Sequence, residues 1–268
     1  MLDDIRLVLC DIDGTLLTSD GNISFKTKET IKKLKNKNIL FGIATGRPVC
    51  AIEKFVKEWG LQNSVDFIIG LNGGHCLNVK TNKVSKNCLM DGKYIIDILD
   101  NFKDFEKNVG LFDGREFHAI KENDSAVNIA KGDGVKFVVD DLTSYHTQYI
   151  EKLVFMAEPH VVNQMEEFYQ KHIHTTHYRA VRSASFLFEF THLELSKLKG
   201  IENICNDLGI SLNQVLTFGD ELNDFEMIQN CVGVAMGNAN PKLQEVAKFI
   251  TLSHDKDGIG VFLEEHIL

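Results

Sequence analysis

Four apolar segments of this chain are each followed closely by polar side chains. This recurring pattern constrains the possible folds more than any other feature of the sequence. Each segment has the length and composition of a buried strand, and helix-like segments separate them. The segments and the side chains that follow them are 5–10 with Asp11 and Asp13, 39–44 with Thr45, 66–71 with Asn72, and 215–218 with Asp220. Strands that alternate with helices form parallel sheets, which bind ligands at the carboxyl ends of their strands. These side chains are therefore expected to meet in one crevice.

The alternation of strands and helices is interrupted in the middle of the chain. From about residue 83 to residue 190 the pattern changes to strands with one exposed face and longer loops, with a helix near 161–172. This pattern is typical of an α+β fold, whereas the alternation returns after it. The predicted fold class is α/β: a Rossmann-like parallel-sheet core, residues 1–82 and 191–268, with an α+β cap domain inserted at 83–190.

Composition excludes several classes of function. The 268 residues are 44% hydrophobic and 25% charged, as in an ordinary globular protein. A net charge of −9 argues against a nucleic-acid binder, which would carry a basic face. No apolar run approaches the ~20 residues that span a bilayer. The six cysteines are scattered, with no CxxC pair, and no leader peptide is apparent. A cytoplasmic protein without nucleic-acid or membrane partners is expected, and composition does not indicate its oligomeric state.

The segment Asp11-Ile12-Asp13-Gly14 places two carboxylates where a strand ends. Carboxylates this close repel each other unless a positive charge lies between them, and Mg²⁺ commonly supplies that charge. Asp220, at the end of another strand, suits a third cation ligand. The alternative is an Asp-Gly turn with solvated side chains.

Lys197 lies in the first turn of a predicted helix capped by Ser196, where the helix dipole disfavours a cation. An anion is expected to compensate it, although a solvated surface lysine is the alternative. Thr45 is interpreted as a ligand-binding hydroxyl or as a helix cap. Together with the acidic residues, these groups predict a phosphate site, because phosphoryl transfer requires mainly positioning and charge neutralisation.

Four motifs in this order closely resemble the haloacid dehalogenase-like hydrolase superfamily, specifically the Cof-type phosphatases with the larger cap. The motifs are Asp11-Ile12-Asp13-Gly14-Thr15-Leu16, Thr45-Gly46-Arg47, Lys197, and Gly219-Asp220-Glu221-Leu222-Asn223-Asp224. The resemblance implies that Asp11 attacks phosphorus and forms an aspartyl-phosphate. It also implies that Asp13 protonates the leaving oxygen and later deprotonates water.

The same resemblance implies the ligand set. Mg²⁺ would be held by Asp11, the backbone carbonyl of Asp13, and Asp220. The phosphoryl oxygens would be held by Thr45, Gly46, Lys197, Asn223 and the backbone of Ile12. Arg47 and Asn72 would contribute substrate contacts from the core.

Three further residues lie in or beside the third and fourth motifs. Asp224 would orient Lys197 or a metal-bound water. Glu221 occupies a position where smaller residues are common in the family. It would lie outside the direct ligands of the metal. Many family members place a Lys-Gly pair at the third motif, so Lys199 is an alternative to Lys197.

The predicted function is Mg²⁺-dependent hydrolysis of a small phosphorylated metabolite. The candidates are sugar phosphates, flavin-pathway phosphates and pyridoxal phosphate. A phosphotransferase or mutase with the same nucleophile, and a non-catalytic phosphometabolite sensor, are the alternatives. The spacing of His172, His174 and His177 is compatible with zinc, but they share no helical face and no cysteine lies beside them.

Overall fold

The computed structural model describes residues 2–268. Its strands are β1 Leu7–Cys10, β2 Leu40–Ala44, β3 Phe67–Gly70, β4 His75–Asn78, β5 Lys83–Lys86, β6 Met90–Asp91, β7 Asn108–Asp113, β8 Glu116–Ala119, β9 Lys136–Val139, β10 Tyr149–Ile150, β11 Lys152–Met156, β12 Tyr178–Ala184, β13 Leu187–His192, β14 Val215–Gly219, β15 Val232–Ala235 and β16 Phe249–Ile250. Its α-helices are α1 Phe25–Leu34, α2 Val49–Glu58, α3 Tyr94–Asn101, α4 Asp124–Asp133, α5 Pro159–His172, α6 Lys197–Leu208, α7 Phe225–Asn230, α8 Pro241–Val246 and α9 Gly258–His266.

The chain divides into two compact units. One unit, the core, contains the residues up to 87 and those from 196 to 268, and the other, the insertion, is Cys88–Leu195. Both divisions lie five residues beyond the predicted boundaries at 82 and 190. The reason is strand pairing: β5 pairs with β4 in the core sheet, and β13 pairs with β11 and β12 in the insertion.

The core sheet has the order β16-β15-β14-β1-β2-β3-β4-β5. The six strands from β16 to β3 run parallel, and β4 and β5 run antiparallel to their neighbours. All four residues of β1 are fully buried, as expected of a strand covered on both faces. Since β1 lies between β14 and β2, the polar residues that follow these three strands lie at one edge of the sheet.

The insertion is an α+β unit with its own sheet and core. The six strands of its larger sheet have the order β12-β13-β11-β7-β8-β9, and all pairs in it are antiparallel except β8 with β9, while β6 and β10 form a separate two-stranded sheet. Edge-to-face aromatic contacts join Phe102 to Phe155 and Phe190, all fully buried. This separate apolar core agrees with the predicted change of pattern.

Within residues 2–268, every helix is too short or too polar to cross a bilayer.

Candidate active site

The loop after β1 places Asp11 and Asp13 in different surroundings. Asp11 is buried, and its backbone N–H donates a 3.0 Å hydrogen bond to Phe218 O at the end of β14. The Asp13 side chain is 61% exposed. The two carboxylates of this motif are therefore suited to different roles.

Gly14 and Thr15 bring this loop against Asp220, which follows β14. The Thr15 hydroxyl donates a 2.8 Å hydrogen bond to Asp220 Oδ1. Gly14 has φ +81, and a Cβ atom there would lie 2.8 Å from Asp220 Cγ, closer than packed atoms allow. The glycine is required both by the backbone conformation and by the carboxylate beside it.

Gly14→Ala is expected to abolish turnover, because the new methyl group would displace the Asp220 carboxylate. Gly21→Ala is the matched control: Gly21 has φ +78, but nothing lies within 4 Å of its Cβ position. Both variants carry similar backbone strain, about 1 kcal/mol. Steady-state kinetics and denaturant unfolding of both variants separate the two effects. Equal activity of the two variants would show that the close approach to Asp220 is unimportant.

Lys197 is fully buried and lies between two carboxylates. Its Nζ is 2.5 Å from both Asp11 Oδ1 and Asp224 Oδ1. Burial alone would lower the pKa of Lys197, but these carboxylates raise it well above its usual range. Lys199 instead forms an exposed 3.0 Å ion pair with Glu202. Of the two lysines, Lys197 is therefore the one that lies beside Asp11 and has the compensating anions predicted for it.

The start of α6 is held close to the loop after β3. The Ser196 side chain caps α6 by accepting a hydrogen bond from Lys199 N at 3.3 Å, as predicted. Gly73, with φ +104, approaches the Ser196 carbonyl so closely that a Cβ atom would overlap it. This contact fixes the position from which Lys197 enters the site.

Asp224 is fully buried and joins the loop after β14 to Lys197. Its Oδ2 accepts hydrogen bonds from Asp220 N at 3.0 Å and Glu221 N at 3.3 Å. A Cβ atom at Gly219 would lie 2.6 Å from Asp224, so only glycine fits there. Asp224 therefore accepts a hydrogen bond from Lys197, which is one of the two contacts that the family resemblance implies for it.

Asp11, Asp220 and Asp224 form one cluster, in which one oxygen of each lies within 4.8 Å of the others. Burial raises the pKa of Asp11 to about 7, although Lys197 opposes the shift. Burial also raises the pKa of Asp220 to about 6, against the hydrogen bond from Thr15. The two carboxyl groups therefore lie where their negative charge is poorly stabilised.

A divalent cation fits this donor set. If ionised, the three carboxylates carry three negative charges and Lys197 one positive charge, which leaves two negative charges uncompensated. Carboxylate oxygens are preferred ligands of Mg²⁺, and a cation would lower the raised pKa values of Asp11 and Asp220. The site thus has the charge and the ligand type that Mg²⁺ requires.

Arg47 contacts Asp13. Its Nε and Nη2 donate hydrogen bonds of 3.2 to 3.3 Å to both oxygens of the Asp13 carboxylate. The guanidinium also lies 5.7 Å from the centre of the Phe55 ring. The sequence predicts substrate contacts for Arg47, but no local pattern indicates its ion pair with Asp13.

Thr45, Gly46, Asn72 and Asn223 line the same edge of the sheet. The buried Thr45 hydroxyl accepts a 3.3 Å hydrogen bond from Arg47 N, and α2 begins only at Val49, so Thr45 does not cap it. Gly46 lies against the Asn72 amide, and Asn223 Nδ2 is 3.5 Å from Asn72 Oδ1. Two predicted phosphate ligands, Gly46 and Asn223, therefore both neighbour Asn72, a predicted substrate contact.

The remaining predicted residues have simpler surroundings. The Ile12 side chain is buried, so only its backbone is suited to ligand binding. Glu221 is exposed and accepts a 3.3 Å hydrogen bond from Leu222 N. Sequence reasoning assigned no role to Thr15 or to Asn238, whose amide donates a 2.8 Å hydrogen bond to Gly14 O. A hydroxyl directly after the acidic motif was the available signal for Thr15.

The zinc interpretation of His172, His174 and His177 gains no support. Among residues 2–268, Asp11, Asp220 and Asp224 form the only cluster of three or more side chains that could ligate a metal.

The family model for the haloacid dehalogenase-like hydrolases matches residues 8–263. The chain belongs to the haloacid dehalogenase-like hydrolases. The match spans both parts of the core and the insertion, so the family assignment applies to the whole arrangement.

Curated relatives and solved structures agree with this family. The chain is 26% identical over 280 residues to the candidate phosphatase YxeH of Bacillus subtilis, covering 98% of each protein. It is 26% identical to the 5-amino-6-(5-phospho-D-ribitylamino)uracil phosphatase YitU of the same organism, covering 97% of each. A haloacid dehalogenase-like hydrolase from Bacteroides thetaiotaomicron has the same fold, with a TM-score of 0.85 and 23% identity over 97% of this chain and 99% of that one.

Proposed function

We propose that this haloacid dehalogenase-like hydrolase is a phosphatase that hydrolyses small phosphate monoesters through a phosphorylated Asp11. The main observation behind the proposal is the buried cluster of Asp11, Asp220 and Asp224, in which Lys197 forms ion pairs with Asp11 and Asp224. A nucleophile and a cation site at the carboxyl ends of neighbouring strands are the requirements of phosphoryl transfer. The phosphatase names of two relatives that match over 97% and 98% of their length support the same reaction.

In the first step, an Asp11 oxygen attacks phosphorus and the bond between phosphorus and the ester oxygen breaks. Asp13 donates a proton to that oxygen, which leaves as the alcohol. In the second step, water attacks phosphorus and gives a proton to Asp13. The bond to Asp11 then breaks, inorganic phosphate leaves, and both carboxyl groups return to their starting forms.

Asp13 has to release Arg47 before it acts as the acid. Both of its oxygens accept hydrogen bonds from the guanidinium, whereas the acid role requires one of these oxygens to carry a proton that is directed at the substrate. The exposed position of Asp13 allows this change. A substrate phosphate would compete with Asp13 for the guanidinium, and Asp13, once released, takes from solvent the proton that it donates in the first step.

The phosphoryl oxygens are assigned to Lys197, Thr45, Gly46, Asn223 and the backbone of Ile12. Lys197 supplies the positive charge, and its two carboxylate partners fix the ammonium group in place. A cation that is already oriented needs no reorganisation when charge develops on the phosphoryl group.

Mg²⁺ would be held by Asp11, the Asp13 backbone carbonyl and Asp220. When bound, it would neutralise charge on the transferring phosphoryl group.

Mg²⁺ is expected to stabilise the substrate-free protein. At a concentration of about 100 times Kd, binding adds about 2.7 kcal/mol, or roughly 5–10 °C in thermal midpoint. Asp220→Asn should remove most of this increase, whereas Asp207→Asn, which loses only an exposed 3.6 Å ion pair with Lys83, should keep it. Thermal unfolding with MgCl₂ and with EDTA measures both. An unchanged increase in Asp220→Asn would place the cation elsewhere.

The substrate test is phosphate release from a panel of esters: hexose and pentose phosphates, the ribitylamino-uracil phosphate named for YitU, and pyridoxal phosphate. Turnover of at least one ester with Mg²⁺, and none with EDTA, is expected. If an added sugar receives the phosphoryl group in preference to water, the enzyme is a transferase and the proposal is wrong.

Substrate selection is assigned to the insertion, which has its own sheet and core. A chimaera that carries the corresponding segment of YitU should change which ester is preferred while retaining its dependence on Asp11. Unchanged preference would assign selection to the core.

A further inference from the structure

The Asn238 side chain connects two loops of the core. Its Nδ2 donates a 2.8 Å hydrogen bond to Gly14 O, and its Oδ1 accepts a 3.0 Å hydrogen bond from His254 N. Gly14 lies in the loop that carries Asp11 and Asp13, and His254 follows β16. One amide group therefore uses a donor and an acceptor to hold the two segments together.

The segment around Asn238 also contacts the loop after β14. Asn240 N donates a 2.8 Å hydrogen bond to Asp220 O. Because Gly14 packs directly against the Asp220 carboxylate, the position of Gly14 decides where that carboxylate lies. The segment 238–240 thus contacts Asp220 in two ways. It binds the Asp220 backbone carbonyl directly, and it positions the Asp220 carboxylate through Gly14.

The loop that follows β1 and carries Asp11 and Asp13 is also held at its far end. There it contacts residues 254–255, the same segment that Asn238 binds. Ser19 N and Ser19 Oγ each donate a 2.7 Å hydrogen bond to Asp255, and Ser19 Oγ lies 3.1 Å from His254 Nε2. The stretch from Gly14 to Ser19 is therefore held near both ends by residues 254–255 and Asn238. Asn238 is the link nearest to the carboxylates.

We propose that Asn238 is a positioning residue, which fixes the loop at Gly14 and so holds Asp220 where it and Asp11 bind one cation. The inference rests on the proposed function, since it assigns Asn238 to the same cation site. Its action is indirect, through Gly14, and so it predicts a change in cation affinity and in turnover but not in substrate affinity.

The test compares Asn238→Ala with Asn230→Ala. The control loses a hydrogen bond of the same kind and length, because Asn230 Nδ2 donates to Glu226 O at 2.8 Å, at the end of α7. Calorimetric titration of the substrate-free protein with MgCl₂ is expected to give a Kd about tenfold higher for Asn238→Ala and an unchanged Kd for the control. At a fixed, subsaturating Mg²⁺ concentration, kcat should fall by a similar factor while KM stays the same.

A second variant covers the case in which Asn238→Ala does not fold. Asn238→Asp has the same size and keeps the acceptor for His254 N, but it has no donor for Gly14 O. Its Mg²⁺ Kd should rise and its kcat at the same subsaturating Mg²⁺ concentration should fall, while its thermal midpoint stays near that of Asn230→Ala.

Wild-type kcat in the aspartate variant, or an unchanged Mg²⁺ Kd in a folded alanine variant, would overturn the proposal. A wild-type protein that binds Mg²⁺ but hydrolyses no phosphate ester would contradict the proposed function alone, and the calorimetric comparison would still decide the role of Asn238. A protein that neither binds Mg²⁺ nor hydrolyses esters would contradict both.

Discussion

Asp11→Asn is expected to remove turnover, with a fall in kcat of at least about 10⁴-fold. The amide has no negatively charged oxygen with which to attack phosphorus, so the phosphorylated intermediate cannot form. The fold should be retained, because an asparagine oxygen can still accept the hydrogen bond that Lys197 donates to Asp11. Burial raises the pKa of Asp11, so its charge is not a source of stability in the absence of a cation.

Asp20→Asn is the control for this variant. Asp20 is exposed and lies nine residues further along the same loop region, where it accepts hydrogen bonds from Thr18 and Asn22. Phosphate release and thermal unfolding should show near-normal activity for the control and a folded but inactive Asp11→Asn protein. Substantial turnover by Asp11→Asn would exclude Asp11 as the nucleophile.

Lys197→Met is expected to have the largest effect on stability. The substitution removes the ammonium group that lies between Asp11 and Asp224 and leaves both buried carboxylates without it. Removing one partner of a buried ion pair costs about 3–5 kcal/mol, a large part of the stability of an ordinary domain. Turnover should also fall by at least about 10²-fold, because Lys197 is assigned to the phosphoryl oxygens.

Lys199→Met separates this effect from a general effect of losing a lysine in α6. Its ion pair with Glu202 joins side chains that are 41% and 37% exposed, and such surface pairs contribute at most about 1 kcal/mol. Urea unfolding at neutral pH should give a much lower midpoint for Lys197→Met than for Lys199→Met. Equal midpoints would mean that the buried carboxylates do not need the Lys197 charge.

The sequence predicts the core better than the insertion, for a physical reason. The parallel strands β1, β2, β3 and β14 are short, mostly apolar and largely buried, and the loop after each of them carries a polar residue at the edge of the sheet. In the insertion, the segments around 110–120 and 179–190 each form a hairpin, β7 with β8 and β12 with β13, whereas α3 and α4 were not foreseen. Local pattern indicates the strands but does not specify which of them pair, because pairing joins residues that are distant in sequence.

In the site, the sequence predicts the carboxylates but not the contacts that hold them. The expected meeting of Asp11 and Asp220 is confirmed by the cluster that they form with Asp224. The contact between Gly14 and Asp220 and the pairing of Arg47 with Asp13 depend on the positions of separate loops. Neither follows from helix or strand periodicity, because each joins residues that are distant in sequence.

The most direct measurement of the central claim is chemical trapping of the phosphorylated enzyme. The enzyme is mixed rapidly with a substrate from the ester panel and Mg²⁺, quenched in acid, reduced with borohydride, and digested for peptide mass spectrometry. Reduction is expected to convert Asp11 alone to homoserine, and only when substrate is present. Modification at another residue, or none during demonstrated turnover, would contradict it.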